Sequence, residues 1–434
     1  MSFHTKRSPS QAHRFLVCAG TFAICDTLPD HQRNQSGLAA QLGTAAHGVI
    51  EHCLKNNTEP EDLRGRIVEL IGDEEEASVL RASAKAPGAG RTWFEIDSDM
   101  IEGAEVMTHY VRKRCKELVV DESEIQLETR TNPLPDRDDT SGTADVTIQA
   151  WPTLLEVVDY KNGYNIVEHE DNEQLMAYLL GKALESDWSY ENYRVTVVQP
   201  NASHAAGRVR PFEATKKELL AFQKSYRAGI ERCEVAETEF GLRDNKVDSE
   251  WAHTWLKAGD HCLFCDAQAV CPARLKLAQD DAVMDFKDNP EDLQEPRNEE
   301  TVSRILLWAP RMEALIRAAT LFAQRSMEAG FEVPEHKLVR GKSNRVWRDG
   351  IPESKIVAAL VGRYKINPKL LHTAPKLISG PAAEKLIHGK KQREEFADKY
   401  LFKPDGRLTV THISDSREAV ECSVADDFAE PEFG

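Results

Sequence analysis

Apolar positions recur along the chain with two different periods, and the period predicts the type of element. A repeat of three to four residues, typical of a helix with one buried face, occurs in four segments: 42–54, 99–118, 173–184 and 215–237. Short apolar or β-branched runs, typical of strands, occur in four others: 125–129, 143–148, 154–159 and 193–199. From the second of these helices onward, the predicted core has the order helix, three strands, helix, strand.

Composition divides the chain into three predicted regions. Residues 1–280 contain all of these elements and are predicted to form one domain. Residues 281–300 are acidic and contain two prolines, which predicts a linker. Residues 301–434 are predicted to form a helical and basic C-terminal region, with a helix ending near Gly330, and to end in an acidic tail.

The overall composition is that of an ordinary globular protein. Of the 434 residues, 41% are hydrophobic and 29% are charged. There is no run of about 18 apolar residues, the minimum for a membrane-spanning helix, so no membrane partner is expected. Residues 1–15 lack the apolar stretch of a secretory signal peptide, and a cytoplasmic location is therefore expected.

Charge is distributed unevenly along the chain. The net charge is −17, which by itself disfavours a nucleic-acid partner. However, residues 335–407 contain 17 Lys or Arg residues against 8 Asp or Glu residues. A basic surface for nucleic acid is therefore compatible with the acidic total.

Two carboxylates and a lysine fall on two consecutive predicted strands. Asp145 lies on the first strand, and Asp159 closes the next one, two residues before Lys161. If the strands form a hairpin, the carboxylates emerge side by side, and strand alternation puts Asp159 and Lys161 on one face. Carboxylate oxygens suit Mg²⁺ or Mn²⁺, and a lysine can orient a water that attacks a phosphate. The structural alternative is a strand end with ordinary solvated charges.

Three of the nine cysteines, Cys262, Cys265 and Cys271, fall within ten residues. In a reducing cytosol, thiols this close predict metal ligation rather than disulfides. Their uneven spacing favours an iron–sulfur centre over the paired motifs of zinc ribbons, with zinc as the alternative occupant. A centre with four cysteine ligands needs one more, for which Cys18 is the first candidate and Cys25 the second.

Six motifs are spread along nearly the whole chain: Ser10-Gln-Ala-His-Arg-Phe-Leu-x-Cys18, Gly43-Thr-Ala-Ala-His47, Gly142-Thr-Ala-Asp145, Leu155-Glu-Val-Val-Asp-Tyr-Lys-Asn-Gly163, Gln174-Leu-Met-x-Tyr178 and Gly341-Lys-Ser-Asn-Arg-x-Trp347. Together they resemble a prophage-borne family known as domain of unknown function 2800. The motifs around His47, Asp145, Asp159 and Gln174 also resemble the RecB-like nucleases of the PD-(D/E)XK superfamily, with one departure at Asp159, where many members of the superfamily carry glutamate.

The resemblance implies an α/β fold with a PD-(D/E)XK restriction-endonuclease-like core (αβββαβ), helical additions and a [4Fe–4S] staple. Cys18 would complete that cluster, as in AddB-type and CRISPR-associated four-cysteine exonucleases. His47 would be an additional metal ligand, and Gln174 and Tyr178 would lie beside the active site.

The implied activity is metal-dependent hydrolysis of DNA, in exonuclease mode by analogy. The implied substrate is linear or single-stranded DNA in phage recombination, replication or repair, and a phage recombination or replication protein is a further implied partner. Two alternatives stay open at this point: a catalytically silent DNA-binding module and a zinc-stapled structural protein.

The basic C-terminal region adds candidate contacts to nucleic acid. Basic side chains would bind phosphates and an aromatic ring would stack on bases, although a solvated helical face explains such charges equally well. The candidates are Lys342, Arg345, Trp347 and Arg348. Gly341-Lys342-Ser343 is not a phosphate-binding loop, because His336 stands where the first glycine is required, and no ATP site is predicted.

Overall fold

The structure is a computed structural model that includes side chains. The chain divides into two units, residues 1–312 and 313–434, which are described separately. The described residues are 5–33, 37–71, 76–79, 92–286, 299–340, 346–348, 351–368, 371–373, 376–377, 380–387, 390–402, 408–412 and 418–420.

The first unit alternates helices and strands. A further helix, α9 (Glu299–Glu328), contains the division between the units. In chain order the preceding elements are α1 (Ala12–Phe15), α2 (Thr21–Asp26), α3 (Leu38–Asn56), β1 (Ile67–Ile71), β2 (Glu76–Val79), β3 (Trp93–Glu95), α4 (Ser98–Leu118), β4 (Gln126–Thr131), β5 (Gly142–Ala150), β6 (Leu154–Tyr160), α5 (Glu173–Glu185), β7 (Asn192–Val198), β8 (Val209–Ala214), α6 (Lys216–Leu242), α7 (Ser249–Trp255) and α8 (Pro272–Phe286).

A five-stranded mixed sheet with the strand order β4-β5-β6-β7-β8 forms the centre of this unit. β6 and β7 are parallel, and the other neighbours are antiparallel. Parallel neighbours need a long crossover, which α5 supplies between β6 and β7. The fold is therefore mixed α/β, and the predicted order of helix, three strands, helix and strand is confirmed by α4, β4, β5, β6, α5 and β7.

Strand β6 is covered on both faces, and all seven of its residues are buried. Val158 and Tyr160 pack in one apolar cluster with residues of α3 and α4. Leu155 and Val157 pack in a second cluster with residues of α5. Because successive residues of a strand point to opposite faces, Asp159 shares the α5 face with Leu155 and Val157.

Parts of this unit were not predicted from the sequence. Strands β1, β2 and β3 form a small antiparallel sheet, and β8 adds a fifth strand to the central one. The predicted linker 281–300 is also too long, because residues 281–286 complete α8 and residues 299–300 begin α9. Acidic residues do not interrupt a helix, and the first proline after α8 begins comes at 290. Residues 287–298 lie outside the described residues.

In its described residues, the second unit has an apolar core and three short strand pairs: β9 with β14, β10 with β13, and β11 with β12. Phe396 lies in this core and contacts the rings of Trp347, Tyr364 and Tyr400. The elements are β9 (His336–Arg340), β10 (Val346–Trp347), α10 (Glu353–Gly362), β11 (His372–Thr373), β12 (Lys376–Leu377), α11 (Gly380–Leu386), α12 (Lys390–Tyr400), β13 (Leu401–Phe402) and β14 (Leu408–His412).

None of the helices in the described part of the chain combines the length and the apolar character that crossing a bilayer requires.

Candidate metal and thiol sites

The register of the central sheet brings the two predicted metal-binding carboxylates together. Strands β5 and β6 pair Val146 with Val158, so Asp145 and Asp159 occupy the next positions along the two strands. Asp145 Oδ2 accepts a hydrogen bond of 2.7 Å from the backbone N–H of Tyr160, which holds this carboxylate at the end of β6. Asp159 is buried. Both carboxylates therefore lie at one end of the β5–β6 pair.

His47 on α3 and Glu128 on β4 approach Asp145 from two further elements. His47 Nδ1 lies 3.5 Å from Asp145 Oδ2 and 3.7 Å from Glu128 Oε1. One potential ligand atom from each of these three residues lies within 4.8 Å of the other two. The His47 ring also contacts the Tyr160 ring edge-on, with a centroid separation of 5.5 Å. The predicted histidine thus lies beside the predicted carboxylates.

Glu128 was not predicted as a site residue. Strands β4 and β5 pair Leu127 with Val146 and Thr129 with Ala144, which leaves Glu128 opposite Asp145. Glu128 has a φ of +47°, a left-handed conformation that residues other than glycine rarely adopt. Such backbone outliers concentrate at functional sites. Its position on a predicted strand was a signal, but only the strand register shows that it faces Asp145.

Lys161, Gln174 and Tyr178 form a hydrogen-bonded chain that starts at Asp159. Lys161 Nζ lies 3.0 Å from Asp159 Oδ2 and donates a hydrogen bond of 3.2 Å to Gln174 Oε1. Gln174 Nε2 donates to the Tyr178 hydroxyl at 3.0 Å. Gln174 lies in the first turn of α5, and Tyr178 follows one turn later, on the same side of the helix. The structure therefore brings all five predicted catalytic residues together.

Burial and mutual repulsion shift the pKa values of the charged groups in this site. Burial and the charge of Asp145 raise the pKa of Asp159 to about 6, although Lys161 opposes the shift. Burial also raises the pKa of Asp145. Burial disfavours the charged form of His47, but Asp145 and Glu128 outweigh it and raise the pKa of His47 to about 9. Burial is thus the main cause of the raised pKa values of the two aspartates, and neighbouring carboxylates add to it.

This donor set fits a divalent cation of the Mg²⁺ or Mn²⁺ kind. Such ions favour carboxylate oxygens and keep positions open for water and phosphate. Asp145 and Asp159 supply carboxylates from adjacent strands, and Glu128 and His47 lie next to Asp145. A bound cation would stabilise the charged forms of the two aspartates, which burial and the neighbouring carboxylates disfavour.

The four cysteines predicted to bind a cluster are buried and come from opposite ends of the first 280 residues: Cys18, Cys262, Cys265 and Cys271. The two chain segments are tied together near these thiols. The Lys257 N–H donates to Cys18 Sγ at 3.5 Å, and the Arg14 guanidinium donates to the Phe264 carbonyl at 3.2 Å. His261 contacts both Cys18 and Cys262. The structure therefore joins the early cysteine to the late group, as expected from the sequence.

Cys25, the second candidate for the missing ligand, also lies among these thiols. Its Sγ is 3.7 Å from Cys265 Sγ, and the hydrogen bond from Cys25 lowers the pKa of Cys265 toward the thiolate that metals bind. Two thiolates on one tetrahedral zinc would be about 3.8 Å apart, given a Zn–S distance of about 2.3 Å.

The spacing of the thiols bears on the choice between one zinc ion and a cluster. Within the described ranges, only two groups bring three potential ligand atoms within 4.8 Å of one another, and neither contains a cysteine. A cuboidal cluster holds its thiolates on separate corners, farther apart than the ligands of a single ion. The described thiols thus do not converge on one point, but Cys25 and Cys265 lie at the separation expected for two ligands of one zinc ion.

The second such group contains Glu168, His169 and His204. His204 Nε2 lies 3.5 Å from Glu168 Oε2, and His204 Nδ1 accepts a hydrogen bond of 3.0 Å from the Ala206 N–H. In a neutral ring, that acceptor role leaves the proton on Nε2, where a metal would have to bind. The tautomer of His204 that this hydrogen bond requires therefore disfavours a metal centre in this group.

The predicted nucleic-acid contacts of the second unit are only partly described. Lys342 and Arg345 lie outside the described residues. Trp347 is partly buried and packs edge-on against Phe396, with the ring centroids 5.9 Å apart. Arg348 is exposed and donates to the Asp398 carbonyl at 2.9 Å. Packing thus accounts for the Trp347 ring without a bound base.

Comparison with known protein families gives a match that covers both sites. A family model described as a protein of unknown function, DUF2800, matches residues 4–418.

Proposed function

We propose that this chain, which belongs to the DUF2800 family, is a metal-dependent deoxyribonuclease of the PD-(D/E)XK, RecB-like kind. It hydrolyses phosphodiester bonds of linear or single-stranded DNA as an exonuclease in phage DNA recombination, replication or repair. The observation that carries this proposal is the convergence of Asp145, Asp159 and Lys161 at one end of the β5–β6 pair. The buried carboxylate of Asp159 and the partly buried carboxylate of Asp145, beside an ammonium group, form an arrangement suited to metal-assisted attack on a phosphate.

Asp145, Asp159 and Glu128 hold the divalent cation in this proposal, and His47 joins them once the cation has displaced the proton from its ring. A cation bound there would polarise a phosphate oxygen and lower the pKa of a coordinated water. The Tyr160 N–H keeps the Asp145 side chain oriented, because it donates a hydrogen bond to one of the two carboxylate oxygens. Burial of Asp159 excludes water that would otherwise weaken its electrostatic interactions.

Lys161 positions the attacking water and offsets the charge that develops on the phosphate. Its ammonium group is held between Asp159 and Gln174, and Gln174 is held in turn by Tyr178. Gln174 and Tyr178 therefore act as positioning residues for Lys161. The raised pKa of Lys161, which Asp159 and Asp145 cause against the effect of burial, keeps this group charged.

The thiol site has a structural role in this proposal. Cys18, Cys262, Cys265 and Cys271 hold a [4Fe–4S] cluster that joins α1 and α2 to the segment before α8. Metal ligation then contributes directly to the stability of the fold.

The test uses protein purified without oxygen and end-labelled linear DNA, with Mg²⁺ or Mn²⁺. We expect the parent to release a ladder of short products, and we expect Lys161→Ala and added chelator to abolish it. Lys217→Ala, which removes an exposed lysine at the start of α6, is the matched control and should cleave like the parent. The order in which labelled products appear also reports the polarity of cleavage.

The same experiment separates the nuclease from a catalytically silent DNA-binding module. Binding of DNA by the parent, with full iron content and no cleavage in either metal, would favour the silent module. Stoichiometric zinc without iron would instead favour a zinc-stapled protein.

A further inference from the structure

The loop that follows Lys161 presents two large apolar side chains to solvent. Tyr164 is 78% exposed and Ile166 is 51% exposed. Three residues of extended chain span at most about 11 Å, so Tyr164 lies near the Lys161 ammonium and the carboxylate site. Single exposed apolar residues are common, and the question is whether the chain holds these two in place.

Gln199, at the end of β7, holds the backbone on both sides of Tyr164. Its side-chain amide donates to the carbonyls of Gly163 and Asn165, at 2.9 Å and 2.7 Å. Its Oε1 accepts a hydrogen bond of 3.1 Å from the Val167 N–H. The side chain of Gln199 is fully buried. The backbone around Tyr164 is therefore fixed while its ring points away from the protein.

Two more polar side chains support the same loop. Arg210 is fully buried and donates to the Val167 carbonyl at 2.9 Å and to Gln199 Oε1 at 2.7 Å. Asn201 donates to the Asn162 carbonyl at 2.9 Å. Burial of an amide and a guanidinium is costly unless hydrogen bonds satisfy them, and here the loop backbone supplies the acceptors. The fold thus uses buried polar groups to hold an exposed aromatic ring beside the site.

We propose that Tyr164, with Ile166 beside it, stacks on a base of the DNA strand whose phosphate lies at the carboxylate site. This inference rests on the proposed nuclease function. Nucleobases present flat apolar faces of the kind that exposed aromatic rings bind in proteins for single-stranded nucleic acid. A ring that is already fixed loses little conformational entropy when a base binds to it.

Charge around the loop orients the strand. Glu168, Glu170 and Asp171 are exposed in the second half of the loop and repel phosphates. Lys161 lies at its first half and attracts them. The DNA strand therefore lies with its phosphates toward Lys161 and with one base over Tyr164, away from the acidic second half of the loop.

The test compares base-bearing and abasic DNA strands in an Asp145→Asn background with Mg²⁺, which prevents cleavage and keeps Lys161. Fluorescence anisotropy of a labelled oligothymidylate should show about 5- to 100-fold weaker binding for Tyr164→Ala, because one lost stacking contact costs that much. Tyr164→Phe keeps the ring and should bind within about twofold of the Asp145→Asn protein. On an abasic strand of the same length, Tyr164→Ala should also stay within about twofold.

Trp151→Ala is the matched control, because Trp151 is 72% exposed and lies in the β5–β6 turn, at the other end of these strands. It should leave binding to both strands unchanged. Equal losses on the two strands, or no loss for Tyr164→Ala, would overturn the stacking role while leaving the nuclease proposal intact. Failure of the parent to bind or cleave any DNA would overturn both proposals.

Discussion

Lys161 and Gln174 are joined by a hydrogen bond of 3.2 Å between Nζ and Oε1, which ties the end of β6 to the first turn of α5. Lys161 has a second acceptor in Asp159, so two fixed groups determine the position of its ammonium. Without Gln174, that position would depend on the ion pair with Asp159 alone.

Replacement of Gln174 should therefore affect catalysis more than replacement of its own partner, Tyr178. We expect Gln174→Ala to lower the cleavage rate by about tenfold or more, because misplacement of a catalytic group by about 1 Å can cost a hundredfold. Tyr178→Phe should lower it only a few-fold, since Gln174 still contacts Lys161. Single-turnover rates, measured with enzyme in excess over DNA and above Kd, report both effects. A larger loss for Tyr178→Phe than for Gln174→Ala would contradict the proposed roles of the two residues.

Divalent metal should stabilise the parent protein against heat. A ligand present at about a hundredfold excess over its Kd stabilises the folded state by about 2.7 kcal/mol. We expect Mn²⁺ to raise the Tm of the parent and to have little effect on Asp145→Asn. Differential scanning fluorimetry with and without Mn²⁺ measures this.

Glu128→Gln tests the ligand that was not predicted from the sequence. It should reduce the Mn²⁺-induced rise in Tm, whereas Glu191→Gln, at an exposed position before β7, should leave it unchanged. An unchanged rise in Glu128→Gln would remove Glu128 from the metal site.

Cysteine replacement should separate ligands from ordinary buried thiols. Cys262→Ser should release iron and lower the Tm, because ligation contributes to folding. Cys53→Ser is a matched control, because Cys53 is fully buried on α3 and packs in the apolar cluster there. It should keep its iron. Iron content and melting measured on the same samples decide the question, and unchanged iron in Cys262→Ser would exclude the cluster assignment.

Cys25→Ser addresses the choice between the two early cysteines. We expect it to retain iron, and we expect Cys18→Ser to lose it. The opposite pattern would make Cys25, which already contacts Cys265, the fourth ligand.

Gly103 allows helix α4 to pack closely against Tyr160, at the end of β6 beside the carboxylate site. A Cβ on Gly103 would clash with the hydroxyl of buried Tyr160, which lies between Asp159 and Lys161 in sequence. We expect Gly103→Ala to destabilise the fold by about 1–3 kcal/mol, as overpacking does elsewhere. Gly43→Ala on α3 is the control, because nothing lies within 4 Å of its Cβ position, and alanine there should stabilise the helix. Chemical denaturation of both variants measures the difference, and equal stability of the two would contradict the packing argument.

Much of the fold could be predicted because the strongest patterns are local. The periods of α4, β4, β5, β6, α5 and β7 are visible within each segment, and their order is confirmed. The small sheet of β1–β3 and the edge strand β8 were missed. β8 reads Val209-Arg-Pro-Phe-Glu-Ala214, and an arginine and a proline inside a short run weaken its apolar pattern.

The candidate site could be predicted as a set of residues but not as a complete site. Asp145, Asp159 and Lys161 follow from strand alternation, whereas His47, Gln174 and Tyr178 depended on the family resemblance. Glu128 could not be found without the β4–β5 register, since an acidic residue on a strand is ordinary in sequence. The sequence favoured Cys18 over Cys25 as the fourth cysteine ligand. The contact between Cys25 and Cys265 could not be predicted, because the spacing of cysteines along the chain does not show which thiols are close in the fold.

The measurement that tests the central claim most directly is single-turnover cleavage of end-labelled DNA with Mn²⁺, by the parent and by Asp145→Asn. Iron content and DNA affinity should first be matched between the two proteins. We predict metal-dependent cleavage by the parent and a rate at least about a hundredfold lower for Asp145→Asn at equal DNA binding. Equal cleavage by both proteins would show that hydrolysis does not occur at the carboxylate site. No cleavage by the fully metallated parent would contradict the assignment of nuclease activity.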